Sequence, residues 1–213
     1  LLCEQRYDVV HGDSCMMDLP AVLNSVPDRP PLVITRHSWN APMGWSRANC
    51  NGYSAVCESA AALSRPYTDI NVVAIPNGVD TVMFHPRIGP ASDRPIVAWC
   101  GRSSDPVKNW AQFVSVTWRL GDDLAYHAAD ADAERAPDAG EAGSGHISLR
   151  RRFSREELPD FYSAVGRSGG CLVSTSRAEG GRPLAMLEAM ACGCPVLGPD
   201  VRGVRDLLTG DLR

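Results

Sequence analysis

Apolar and polar positions fall into short apolar runs that end in polar, glycine-bearing turns, the pattern of parallel strands alternating with helices. Residues 7 to 14 (YDVVHGDS) and 31 to 39 (PLVITRHSW) each read as a β-rich run closing in a histidine-bearing turn, with a helix expected around 15 to 25. SAVCESAAALSR (54 to 65) reads as a strand and then a helix with Ser59 as its cap. The run NVVAIP leads into Asn77-Gly78, a turn signal. From Ile96 the run IVAWC predicts a strand that gives way at Gly101 to a polar loop holding Arg102 and Lys108. LAYHA predicts another, followed by a stretch rich in Ala, Asp, Glu and Gly (128 to 145) whose composition predicts a mobile loop. Ser154 and Glu157 are spaced as a capping box opening a helix through Phe161 and Tyr162.

The most telling stretch is EGGRPLAMLEAMACGCPVLG, 179 to 198. Between Pro183 and Cys192 the only polar side chain is Glu188. Proline suits the first helical position and Gly193 suits the position after the last, so a short helix is expected there. A segment apolar on every side is expected to be buried, and a carboxylate in it needs donors or a shifted pKa. Gly180 and Gly181 let the backbone approach a ligand closely, and the helix start at Leu184 and Ala185 offers amides to a phosphate. Glu188, about one and a half turns in, is placed to accept from a ribose diol. The alternative is that Glu188 pairs with a nearby arginine in a structural network.

SRAEGGRPLAMLEAMACGCPVLGPDVRGVRDLL (176 to 208) resembles the C-terminal signature of retaining glycosyltransferases of family four, enzymes with the GT-B fold of two facing Rossmann-like domains. The resemblance implies that Glu179 meets the hydroxyls of the donor sugar and Glu188 the ribose. The family separates these glutamates by seven residues, whereas eight stand between them here, an extra residue assigned to the turn at Gly181 or Arg182. IVAWCGRSSDPVKNW (96 to 110) resembles the family's strand, glycine, arginine and lysine segment, which implies that Arg102 and Lys108 clamp the donor diphosphate beside Gly101. Such cations stabilise the charge that develops on a departing diphosphate, so no metal is expected. Read without the resemblance, both are surface charges of a loop.

IPNGVDTVMFHP (75 to 86) is similar to the family's hinge, and the two upstream runs to strands of its N-terminal domain. His37 then matches the cleft histidine and His11 a more structural one. The fold implied is α/β of GT-B type with parallel sheets: residues 1 to 86 as an incomplete N-terminal domain with hinge, and 87 to 213 as the Rossmann-like domain that binds the nucleotide sugar. The family's opening Gly-rich turn and its closing strand and long helices have no counterpart here. The function implied is transfer of a sugar from a nucleotide diphosphate to a hydroxyl-bearing acceptor, with retention and with no cofactor besides the donor. A non-catalytic nucleotide-sugar binding remnant of such an enzyme is the second reading.

Composition narrows these options. Net charge is −4 over 213 residues, which argues against wholesale nucleic-acid binding. The basic run Arg150 to Arg152 with Arg155 could meet an anionic acceptor or a membrane surface, although a solvated face is the plainer reading. Eight cysteines show no paired C-x-x-C spacing and several lie in apolar runs, which implies a reducing compartment and cytoplasmic residence. Asp130-Ala-Asp132 matches the metal-binding DxD of another glycosyltransferase fold, but Ala/Asp-rich composition makes that match cheap. Gly12-Asp13-Ser14 suggests an esterase serine, yet no histidine downstream of it follows an aspartate by three residues as that class requires.

Overall fold

The computed structural model describes residues 6–13, 15–16, 18–26, 28–37, 45–131, 146–151 and 153–208. The chain divides into two compact units. Unit 1 comprises the residues up to Asn77, the segment Glu179–Arg182 and the segment from Arg202; unit 2 comprises Gly78–Ala178 and Pro183–Val201. The first crossing falls inside the hinge-like block, between Asn77 and Gly78.

Unit 1 holds a four-stranded sheet in the order β1-β2-β3-β4: β1 (Val10–Asp13), β2 (Leu32–Arg36), β3 (Gly52–Ala55) and β4 (Val72–Ala74). All its pairings are parallel, with Ile34 opposite Tyr53 and Gly12 opposite Ile34. The near-continuous burial of β2 and β3 is what parallel strands require. Helices α1 (Leu19–Asn24) and α2 (Glu58–Ser64) supply Leu23, Ala60 and Ala61 to a core with Leu32, Ile34, Trp45, Tyr53 and Val72. The cap of α2 differs from expectation. Cys57 stands at the cap position without a side-chain capping bond, and Asp206 accepts from the Ser59 hydroxyl at 2.8 Å and from its amide at 3.4 Å. Asp206 belongs to α6 (Arg202–Leu208), which buries Val204 and Leu207. The expected turn at Asn77-Gly78 is also absent: Asn77 donates to the Arg182 carbonyl at 3.0 Å, and the turn forms at residues 81 to 83 in unit 2, where the Asp80 carboxylate accepts from the amides of Val82 and Met83.

Unit 2 holds a five-stranded parallel sheet in the order β7-β6-β5-β8-β9. Its strands are β5 (Ile96–Gly101), β6 (Ala125–Asp130), β7 (Ile147–Arg151), β8 (Cys171–Val173) and β9 (Val196–Leu197). Helices α3 (Trp110–Leu120), α4 (Leu158–Arg167) and α5 (Leu184–Ala191) connect them. The chain adds β6 and β7 on one side of β5 and then returns to add β8 and β9 on the other, the order of a Rossmann-like doubly wound sheet. Trp99 packs edge-on to Trp110 at 4.9 Å and against Phe113 at 6.3 Å, tying β5 to α3. Ala128, Ala129 and Asp130, expected in a mobile loop, form the buried end of β6, while residues 132–145 lie outside the described residues. The Ser154/Glu157 capping box is present, reciprocal at 2.8 and 3.3 Å, but it closes the turn before α4 rather than its first turn.

Among the described residues no helix is long and apolar enough to cross a membrane, and Cys15, Cys50, Cys57, Cys100, Cys171, Cys192 and Cys194 are free thiols. Gly170 marks where α4 feeds back into the sheet: a Cβ there collides with the Ile96 carbonyl at the start of β5. Gly170→Ala is expected to cost about 2–3 kcal/mol by overpacking, lowering the thermal midpoint by about 5–10 °C in a chain of this size. Gly78→Ala, with open space around the new methyl, should leave the midpoint within about 2 °C; equal melting curves for the two variants would refute the close approach.

Candidate functional site

In a doubly wound sheet, ligands bind outside the carboxyl ends of the strands where the strand order reverses. In unit 2 that point lies between β5 and β8, and the loop after each strand is tied to the other. The Thr175 hydroxyl lies 2.9 and 3.1 Å from the carbonyls of Lys108 and Asn109, and its oxygen receives the Trp99 indole N–H at 3.2 Å. The Arg177 amide donates to the Val107 carbonyl at 2.8 Å, and the Arg177 guanidinium reaches the Asn109 side chain at 3.3 Å. Asn109 adopts φ 54°, a left-handed turn into α3 that an asparagine tolerates.

Each residue singled out in the sequence has a definite place. Gly101 ends β5, where its missing side chain makes room for the Trp99 ring, since a Cβ would stand 2.9 Å from it. Arg102 is exposed and pairs with Asp105 at 3.3 Å; such a surface pair is worth little and leaves most of the guanidinium fork in water. Asp105 shapes the loop by accepting from the Val107 amide at 2.9 Å. Lys108 is half-buried and close enough to Cys100 to act on its thiol.

Glu188 sits on α5 facing α4 and the end of β5. It is half-buried rather than enclosed, and its carboxylate Oε2 lies 3.5 Å from the Tyr162 hydroxyl. Burial raises its pKa above the ordinary carboxylate value, opposed first by the charge of Arg155 and then by the Tyr162 hydroxyl. Cys100, at 3.4 Å from the same hydroxyl, has its thiol pKa pushed up chiefly by burial. Arg155 is exposed, its guanidinium 5.9 Å from the Phe84 ring centre.

Pro183 takes the cap position of α5, with φ −63° and ψ 124°, instead of the first helical position. The first helical residues are thus Leu184, which is exposed, and Ala185, whose amides have no carbonyl a turn earlier to bond. Gly193 closes the helix at φ 75° as expected, with the Cys194 amide returning to the Ala189 carbonyl at 2.9 Å.

Glu179, Gly180 and Gly181 belong to unit 1. Gly181 is buried, and a Cβ on it collides with Val56; the Gly180 carbonyl faces the Cys57 thiol at 4.0 Å. The packing on Val56 by itself calls for glycine at 181. A Cβ at Gly203 would meet the Gly181 carbonyl and come within 3.0 Å of the Glu179 Cβ, so α6 starts against this turn. His37 follows β2, exposed, with its Nε2 4.0 Å from the Asp13 carboxylate. His11 bonds Thr35 at 2.6 Å, and Thr35 bonds Ser54 at 2.8 Å, a relay across the sheet. Ser14, of the esterase-like triplet, lies outside the described residues.

Sequence reading missed three residues at the unit 2 site. Tyr162 appeared only as a helix residue and Cys100 only as a small hydrophobe. Asp130 appeared as half of a cheap metal motif, but it is buried and accepts from the Ser103 amide at 3.0 Å, which holds the phosphate-loop candidate onto β6. Among the described residues no cluster of metal-ligating side chains occurs. The only available signal for Tyr162 was the need of Glu188 for a donor.

The raised pKa of Glu188 makes a signed prediction. The folded state holds the proton more tightly than the unfolded chain, so ionised Glu188 opposes folding; the cost sets in as pH rises past the unfolded carboxyl value and is full above the folded one. Glu188→Gln should therefore melt higher than the unmodified chain at pH 7–8, by about 2–4 °C for roughly 1 kcal/mol. The difference should vanish below about pH 4, as measured by circular dichroism.

No family model matches the chain. It is 28% identical over 198 residues to lipopolysaccharide core biosynthesis mannosyltransferase LpsB of Rhizobium meliloti, covering 84% of this chain and 54% of that protein. It is 33% identical over 147 residues to 2-deoxystreptamine N-acetyl-D-glucosaminyltransferase of Streptomyces fradiae, covering 65% of this chain and 33% of the other. The chain thus spans about half of the first relative and a third of the second. Anabaena HepE, solved in complex with UDP-glucose, superposes with a TM-score of 0.74 at 16% identity over 95% of this chain and 62% of HepE. The fold is accordingly α/β with parallel, Rossmann-like sheets, its structural neighbours are GT-B glycosyltransferases, and the chain is homologous to glycosyltransferases.

Proposed function

We propose that the chain carries the nucleotide-sugar side of a glycosyltransferase, which moves a sugar from a nucleotide diphosphate to a hydroxyl of a saccharide, lipid or small-molecule acceptor with retention at the anomeric carbon. The observation that carries this reading is the placement of a half-buried Glu188 with a tyrosine donor beside it, and of Lys108 and Arg102, around the switch point of one parallel sheet. A carboxylate that accepts and cations that neutralise are what a ribose and a diphosphate require. The sugar-transferase names of both relatives, and the UDP-glucose held by HepE, support the same substrate class.

In this reading Glu188 accepts from the ribose hydroxyls, Lys108 and Arg102 hold the diphosphate beside Gly101, and the amides of Leu184 and Ala185 face a phosphate oxygen. Glu179, beside Gly180 and Gly181, and His37 keep the roles toward the donor sugar that the family resemblance implies. The bond from the anomeric carbon to the diphosphate breaks as the acceptor oxygen bonds that carbon on the same face. The acceptor proton passes to the departing phosphate oxygen, whose charge the two cations stabilise. No metal is assigned a step. The free thiols support a reducing, cytoplasmic setting.

One observation favours a second reading, a binding module without transfer: the lengthened Glu179–Glu188 spacing coincides with a Gly181 packed on Val56. Donor binding without transfer or hydrolysis would single it out.

Thermal-shift screening of UDP, GDP, ADP and their sugars should find one nucleotide that raises the melting temperature. Glu188→Gln and Lys108→Ala should each abolish that shift, a loss of at least about tenfold in affinity for a deleted charged contact. Unaltered shifts in both variants would remove these roles.

A further inference from the structure

We infer that Tyr162 is a positioning residue: its hydroxyl holds Oε2 of Glu188 so that the other carboxylate oxygen is presented to the ribose diol of the donor. This deepens the function proposed above and rests on it. Tyr162 is wholly buried, and its hydroxyl lies 3.5 Å from Glu188 Oε2 and 3.4 Å from Cys100 Sγ. A buried phenol must use its proton. It has one proton and two acceptors, a weak one in the thiol and a strong one in the ionised carboxylate. The hydroxyl therefore turns to Glu188 when that group is charged. Such contacts are often long in an empty site and shorten when ligand binds.

The surroundings leave Tyr162 little competition. From the α4 side the titratable or charged groups facing Glu188 are Tyr162 and Arg155; from β5, Cys100; and from its own helix end, Cys192. Lys108 and Asp130 act on the same Cys100 thiol. The strand packed against α5, β9, presents Val196 and Leu197. Arg155 is exposed and screened by water, which leaves the tyrosine as the buried donor. A phenylalanine would fill the same volume, so the hydroxyl is explained by what it bonds.

The test is calorimetric titration of the full chain with UDP, and with GDP and ADP in parallel, between pH 5 and 8. Tyr162→Phe should bind the nucleotide about tenfold more weakly at pH 7. The pH at which affinity halves should rise, because Glu188 loses a donor to its ionised form. Cys100→Ala removes the rival acceptor and should move that pH downward. An unchanged affinity and pH profile in Tyr162→Phe, or a Cys100→Ala shift in the same direction as that of Tyr162→Phe, overturns the inference. If Tyr162→Phe does not fold, the direction of the Cys100→Ala shift decides alone. If the unmodified chain binds none of the three nucleotides, or Glu188→Gln binds as well as it does, the function proposed above fails and takes this inference with it. Loss of binding in Glu188→Gln with no change in Tyr162→Phe sinks this inference alone.

Discussion

A carboxylate on an otherwise apolar helix has to be solvated by something, and the architecture of unit 2 is organised by how this is done. Met186 and Ala189 fill the inward face of α5, which leaves Glu188 toward α4 and the end of β5. Gly166 of α4 packs on the turn that closes α5, where a Cβ would stand 2.7 Å from the Gly193 carbonyl. Tyr162 lies four residues before Gly166, one helical turn along the same face. The contact of small residues thus delivers the phenol to the acid. The left-handed turn at Gly193 sets where α5 ends, and the start of the helix follows at a fixed rise per residue, so one glycine governs both the acid and the amides at Leu184 and Ala185.

The cation-bearing loop is held in a different way. Its anchors run from Thr175 and Arg177 to the backbone carbonyls of Lys108, Asn109 and Val107, and from the Ser103 amide to Asp130. Backbone partners carry no side-chain identity. The loop can keep its course while Arg102 stays in solvent beside Asp105 and Lys108 alone turns partly inward.

What was legible in the sequence follows from the range of each signal. Alternating runs and glycine stops act within a few residues, so the sheets, α5, its Gly193 stop and the lone Glu188 could be read directly. The capping box was also visible, since its two members bond each other, but not that it closes a separate turn. Long-range partners were hidden. Ser59 looked like a cap because its own neighbourhood suits one, whereas Asp206 does that work from the other end of the chain. The packing of Gly181 on Val56 was hidden as well, because flexibility and tight packing call for the same residue. Helical periodicity placed Tyr162 on α4 but not against Glu188, because a helix pattern does not state which neighbour its face will meet.

The tie between Ser59 and Asp206 governs the order in which unit 1 can be finished during synthesis. Strands β1 to β4 are made well before α6, so the amide at the start of α2 lacks its carboxylate, and Val56 its covering turn, until those later segments have emerged. Until then the first sheet stands as an unsealed nascent layer, completed only when segments distant in sequence arrive.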